Sequence, residues 1–183
     1  CSLFLQPDHF LLADDYSRRN ADTFVAYRMT RAARLLQRRF RITHLHGKLV
    51  NVRRFRDAVG PGSTVDMVWI NSSGGSKNWA FGGGGAADDI PMGKALAYHV
   101  IHSYSAANIW DEKTIGGRAI AGGAYWYFGA IHEPYLNAFV PPTALALRAM
   151  AGTPLAFAAR QLPGHPMYRP WKTMLIGDPL FSL

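Results

Sequence analysis

Three short polar segments of this 183-residue chain carry side-chain types that do hydrolytic chemistry, and each follows an apolar run. Asn71-Ser72-Ser73-Gly74-Gly75 comes after Val65–Ile70, His102-Ser103 comes after Ala95–Ile101, and His132-Glu133 comes shortly after Ala124–Phe128. A serine hydroxyl is a nucleophile only beside a positioned base, an imidazole serves as that base, and a carboxylate holds the imidazole in place. On this logic Ser103 is the candidate nucleophile and His132 its base, with Glu133 or Asp111 orienting the ring. Ser73 is a further hydroxyl. The amides of Gly74 and Gly75 are candidate oxyanion donors. Ser72, Gly74, Gly75 and His102 are candidate binding residues at the same place.

The same residues have plainer readings. Neighbours on a strand point to opposite faces, so His102 and Ser103 do not serve one site equally, and His102 fits a hydrogen-bonded core position. His99 fits one better still. His132 is equally suited to a loop position bonded to a backbone carbonyl, and Glu133, held out of the helical region by Pro134, to bracing a turn.

Metal readings are weaker. His102, His132 and Glu133 make a formal two-histidine, one-carboxylate set, but no HExxH spacing supports it. His44 and His46 share a strand face without a third ligand, and Asp88-Asp89 suits at most loose calcium binding. Phe81 and the four glycines after it lack the ending of a phosphate loop and read as a loop outside the core. Neither a metal nor a cofactor is expected.

Positioning these segments requires an alternation of strands and helices. Strands are expected at His9–Asp14, Arg41–His46, Val65–Ile70, Ala95–Ile101, Ala124–Phe128 and Trp171–Ile176. A helix capped by Asn20 or Asp22 runs to about Arg39. It carries Val25, Met29, Ala32, Leu36 and Phe40 on one face, and Arg28, Arg31, Arg34, Arg38 and Arg39 elsewhere. Further helices are expected at Val52–Val59, Thr114–Ala121, 142–150 and 154–162. The Tyr125–Phe128 run reads as core. The alternation predicts one α/β domain over residues 1–183, a three-layer sandwich with a mostly parallel central sheet. Sites in such sheets form beyond the carboxyl ends of the strands, where the three polar segments fall.

Four segments together resemble the gingipain family of cysteine peptidases, which share the caspase-like α/β fold. They are Ile70-Asn-Ser-Ser-Gly-Gly-Ser76, Val100-Ile-His-Ser-Tyr-Ser-Ala106, Gly123-Ala-Tyr-Trp-Tyr-Phe-Gly129 and Leu175-Ile-Gly-Asp-Pro-Leu180. His132-Glu-Pro-Tyr135 is similar to a motif of gingipain-like bacterial proteins. The resemblance covers about residues 65–183. It implies a catalytic His-Gly pair in the first segment and a catalytic cysteine in the second. This chain departs at both. The cysteine position falls on Ser103, or on His102 with a slip of one, and the histidine position on Ser73, or on Ser72. The single cysteine, Cys1, is remote in sequence. The resemblance therefore implies a caspase- or gingipain-like domain without its dyad, used as a binding or structural module with a protein partner or peptide in the strand-end cleft. A secreted or cell-envelope location rests on the resemblance alone. A hydrolase rebuilt on Ser103 and His132 is the alternative.

Composition narrows the classes. The chain is 49% hydrophobic and 17% charged, a globular balance, and no apolar run is long enough to span a bilayer. One cysteine excludes an intrachain disulfide and a cysteine-rich zinc site. A chain beginning with Cys1-Ser2 reads as a fragment boundary or as a processed, lipidated terminus. The net charge of +8 is concentrated: residues 18–56 hold twelve Lys or Arg and one acid. Such a segment, with Arg28, Arg31, Arg34, Arg38 and Arg39 on one helix, is a second alternative, a polyanion-binding or assembly surface.

Overall fold

A computed structural model describes residues 7–81, 86–94, 96–161 and 172–183. Six strands join one sheet: β1 (His9–Asp14), β2 (Arg41–His46), β3 (Met67–Asn71), β4 (Ala97–Ile101), β5 (Trp126–Ala130) and β6 (Thr173–Gly177). Their order is β2-β1-β3-β4-β5-β6; the first five are parallel and β6 runs antiparallel to β5. Strands β3, β4 and β5 are buried at every position, as their continuous apolar sequences require of strands covered on both faces.

Alternation sorts the side chains into two cores. Phe10, Leu12, Trp69, Ile101, Trp126 and Phe128 face α2 (Thr30–Leu36), α6 (Pro142–Met150) and α7 (Leu155–Ala158). Leu11, Ala13, Val68, Ile70, Val100 and Tyr127 face α3 (Val52–Val59) and α5 (Ile115–Ala121). The mostly parallel α/β architecture expected from the alternation is thus present, with helices on both faces. Two one-turn helices, α1 (Asp22–Val25) and α4 (Ala86–Asp89), complete the set. Capping explains the starts: Asn51 accepts the Arg54 amide at α3, and Thr114 the Gly117 amide at α5. Among the described residues no helix is long and apolar enough to cross a membrane.

Four expectations need correction. The long helix from residue 22 to 39 is two helices, α1 and α2, with a break between Val25 and Thr30. The reason lies outside the helix. The buried Asn71 amide donates to the Tyr27 carbonyl at 2.7 Å, and the Asp14 carboxylate accepts the Met29 amide at 2.8 Å. Backbone groups that a continuous helix would use are captured by two strand ends, and Val25 is turned out to solvent, 47% exposed. Phe81 belongs to the core, fully buried and stacked on Trp79 at 5.2 Å, whereas the glycines after it lie outside the described residues. The fifth strand falls two residues later than expected. The helix expected over 154–162 is the single turn α7, which ends at Ala158. The last strand is described from Thr173, and its expected start at Trp171 lies outside the described residues, as do Cys1 and Ser2.

Candidate functional site

Parallel pairing places the carboxyl ends of β1, β3, β4 and β5 on one edge. Asp14 and Asn71 are register partners there, and so are Asn71 and Ile101. The segments that follow converge on a cavity of about 380 Å³, lined by Tyr16, Phe24, Ser73, His102, Ser103 and Glu133, among others. Behind Tyr16 lies a buried polar network. Asp14 accepts from the Asn71 side chain at 2.8 Å and from the Ser17 amide at 3.1 Å. Asn71 in turn accepts the Tyr16 amide at 3.1 Å. Every group is paired, as burial demands.

The central contact is between Ser103 and Glu133. The Ser103 hydroxyl donates to Glu133 Oε1 at 2.9 Å. The Glu133 carbonyl accepts from Lys172 Nζ at 2.9 Å, which ties the loop after β5 to the start of β6. His132 is turned away. It is exposed, its carbonyl accepts the Tyr104 amide at 3.1 Å, and its ring packs on Tyr104 with centroids 5.4 Å apart. Ser103 is thus engaged by Glu133 and not by the histidine proposed as its base. Two non-glycine residues among those described have positive φ, and both flank this contact: Tyr104 at 57° and Tyr135 at 58°. Backbone in this region is costly for such side chains and persists where surrounding structure fixes it.

His102 is buried. Its Nδ1 lies 2.7 Å from the Ser103 carbonyl and its Nε2 lies 3.0 Å from the Asn78 carbonyl. Burial lowers its pKa, and the two carbonyls pull the other way with less effect. A neutral ring donates to one of these carbonyls at a time. Both ring nitrogens are turned to main-chain carbonyls, while the Ser103 hydroxyl is bonded to Glu133. The Gly74 turn wraps over it. A Cβ on Gly74 would collide with the Asn78 carbonyl oxygen and stand 2.9 Å from His102 Nε2, and φ there is +145°. The Gly75 amide donates to Asn78 Oδ1 at 2.9 Å, so it is spent within the turn rather than offered as an oxyanion donor.

Ser73 and Gly74 line the cavity. Ser72 is buried beneath it: its hydroxyl accepts the Ala80 amide at 2.9 Å, and its carbonyl accepts the Tyr16 hydroxyl at 3.0 Å. Burial raises the Tyr16 pKa, so the phenol keeps its proton. Asp111, the other candidate for orienting a base, accepts the Lys113 amide and faces Lys77 at 3.8 Å. Asp89 is not available for calcium, since Arg56 and the Trp79 indole occupy its two oxygens. His44 and His46 do share a face, with centroids 4.7 Å apart, and His44 Nε2 is 3.5 Å from Asp14 Oδ2. Among the described residues no group of three His, Cys, Asp or Glu is placed to hold a metal.

Sequence reasoning did not find Tyr16, Phe24 or Tyr135 as cavity walls. The first two lie in the connection after β1, where no motif marks them. No family model, curated protein or solved structure matches this chain.

Proposed function

We propose that this chain is a caspase- or gingipain-like α/β domain that does no peptidase chemistry. Its strand-end cleft binds a peptide segment or comparable ligand, and the domain serves as a binding module of a larger protein or assembly. The observation that carries the reading is the Ser103–Glu133 hydrogen bond, at the place where the resemblance implies a nucleophile and its imidazole. A carboxylate is a poor acceptor for a serine proton at neutral pH, because its pKa lies far below that of the hydroxyl. The adjacent imidazole of His102 is bound to main chain, and that of His132 faces Tyr104.

What remains is a recognition surface. A half-buried carboxylate, the Ser73 and Ser103 hydroxyls, and the rings of Phe24 and Tyr135 surround a hollow of about 380 Å³. That size lies at the lower end of ordinary ligand sites, which run roughly 300–1,000 Å³. A ligand group that donates hydrogen bonds, such as a peptide amide or an amine, complements Glu133.

Two measurements decide between binding and hydrolysis. A fluorophosphonate serine probe is expected to leave the chain unlabelled. A peptide library screened on the immobilised chain is expected to yield ligands whose affinity falls about tenfold or more, roughly 1.4 kcal/mol, with Glu133→Gln. Labelling that disappears with Ser103→Ala overturns the reading in favour of the hydrolase. Ligands indifferent to Glu133→Gln remove the cleft as the binding site.

A further inference from the structure

The arginines of the basic segment divide sharply by what they touch. Arg18 and Arg19 pair with Asp15, Arg41 with Asp8, and Arg56 with Asp89. Arg28 donates to the carbonyls of Tyr16 and Arg19, and Arg39 to that of Leu183. Arg31, Arg34 and Arg38, and Arg53 and Arg54 on α3, form no ion pair and no side-chain hydrogen bond among the described residues, and all five are exposed. The first three lie together: their spacing of three and four places them on one face of α2 and its C-terminal extension.

That face borders a groove between α2 and α6, about 210 Å³, whose remaining walls are Leu35, Thr143 and Leu147. Arg31 and Thr143 also line a second hollow of about 470 Å³ that reaches Val25. The two hollows therefore adjoin at Arg31 and Thr143. Leu147 is 55% exposed and Val25 47% exposed, and no acid lines either hollow. Like charges at helical spacing oppose the helix that carries them, and an anionic partner relieves that opposition.

We propose that the α2–α6 groove docks an acidic amphipathic segment of a partner protein. Its carboxylates pair with Arg31, Arg34 and Arg38 while its apolar side chains cover Leu35, Leu147 and Val25. The apolar strip between the guanidiniums selects this occupant over a nucleic acid or sulfated glycan. Guanidiniums fork onto carboxylates and phosphates alike, but a phosphate backbone gains nothing from exposed leucine and valine. The lining also lacks the aromatic rings on which single-stranded bases stack. This surface is separate from the strand-end cleft, and its test is independent of that reading.

The probe is a fluorescent peptide of Glu and Leu at helical spacing, compared by anisotropy with polyglutamate of equal charge and with a single-stranded oligonucleotide. The full chain is expected to bind the amphipathic peptide about tenfold more tightly than either comparison ligand. Arg34→Glu and Leu147→Ser are each expected to cost about tenfold, with thermal unfolding unchanged because both positions are exposed. Arg31→Glu provides a second charge variant should one fail to fold. Equal binding of polyglutamate or the oligonucleotide, indifference to Leu147→Ser, or no binding of the amphipathic peptide would each overturn the proposal.

Discussion

His99 shows how a single titratable ring sets acid stability. It lies at the middle of β4, fully buried, flat against Phe128 at 5.2 Å, and both its ring nitrogens lack a hydrogen-bond partner among the described residues. Burial depresses its pKa from 6.5 to about 3. The unfolded chain takes up a proton on this ring below its ordinary pKa, and the folded chain does not until near pH 3. The stability that results is complete above about pH 6.5 and declines as pH falls toward 3. With about 1.4 kcal/mol per unit, His99 alone accounts for a loss of roughly 2–3 kcal/mol by pH 4.5. His102 adds in the same direction. His99→Leu removes the titrating group at similar volume. Denaturant unfolding at neutral and acid pH is expected to show a shallower loss in the variant than in the unaltered chain. Parallel losses would show that His99 is not held neutral by the fold.

At the scale of elements, the break between α1 and α2 is governed by Asn71. This side chain accepts from Tyr16 and donates to both Asp14 and the Tyr27 carbonyl, all in a buried setting. Asn71→Leu leaves those partners unsatisfied where water does not reach. Unpaired buried groups cost about 1–3 kcal/mol each, so a total near 3 kcal/mol is expected after partial relaxation. Hydrogen exchange should quicken at the Tyr16 amide, and at Met29 if Asp14 moves with it. Unchanged stability would place the break under other control.

The same residue explains what the sequence left hidden. Strand positions and the helices at 52–59 and 142–150 were legible because their periodicity or apolar runs are local signals. The rule that sites form beyond parallel strand ends also directed attention to Ser73, Ser103 and Glu133, which the fold brings to one cavity. The helix break was not legible, because helical spacing continues through residues 25–29 while the captors, Asp14 and Asn71, lie far away in sequence. The pairing of Ser103 with Glu133 rather than His132 is flanked by the positive φ of Tyr104 and Tyr135, which neither residue type announces.

For the molecule as a whole, the two margins of the sheet differ from its centre. Strands β3, β4 and β5 are buried at every position, whereas β2 and β6 are only partly covered. β6 is held to the sheet by β5 alone. Regions with few buried contacts open below the global unfolding free energy, so β6 amides are expected to exchange before those of β3 and β4. This has a consequence at the cleft. The Ile131 amide donates to the Lys172 carbonyl at 2.9 Å, and Lys172 Nζ donates to the Glu133 carbonyl at 2.9 Å. The entry to β6 and the Glu133 loop are thus one mechanical unit, and loosening either loosens the other. Lys172→Met, which keeps the aliphatic stem and removes the ammonium, is expected to raise exchange in both β6 and the segment after β5, with β3 and β4 unaffected. Exchange read by mass spectrometry checks this directly: faster exchange in β6 with the 131–135 segment unchanged would uncouple the sheet edge from the cleft.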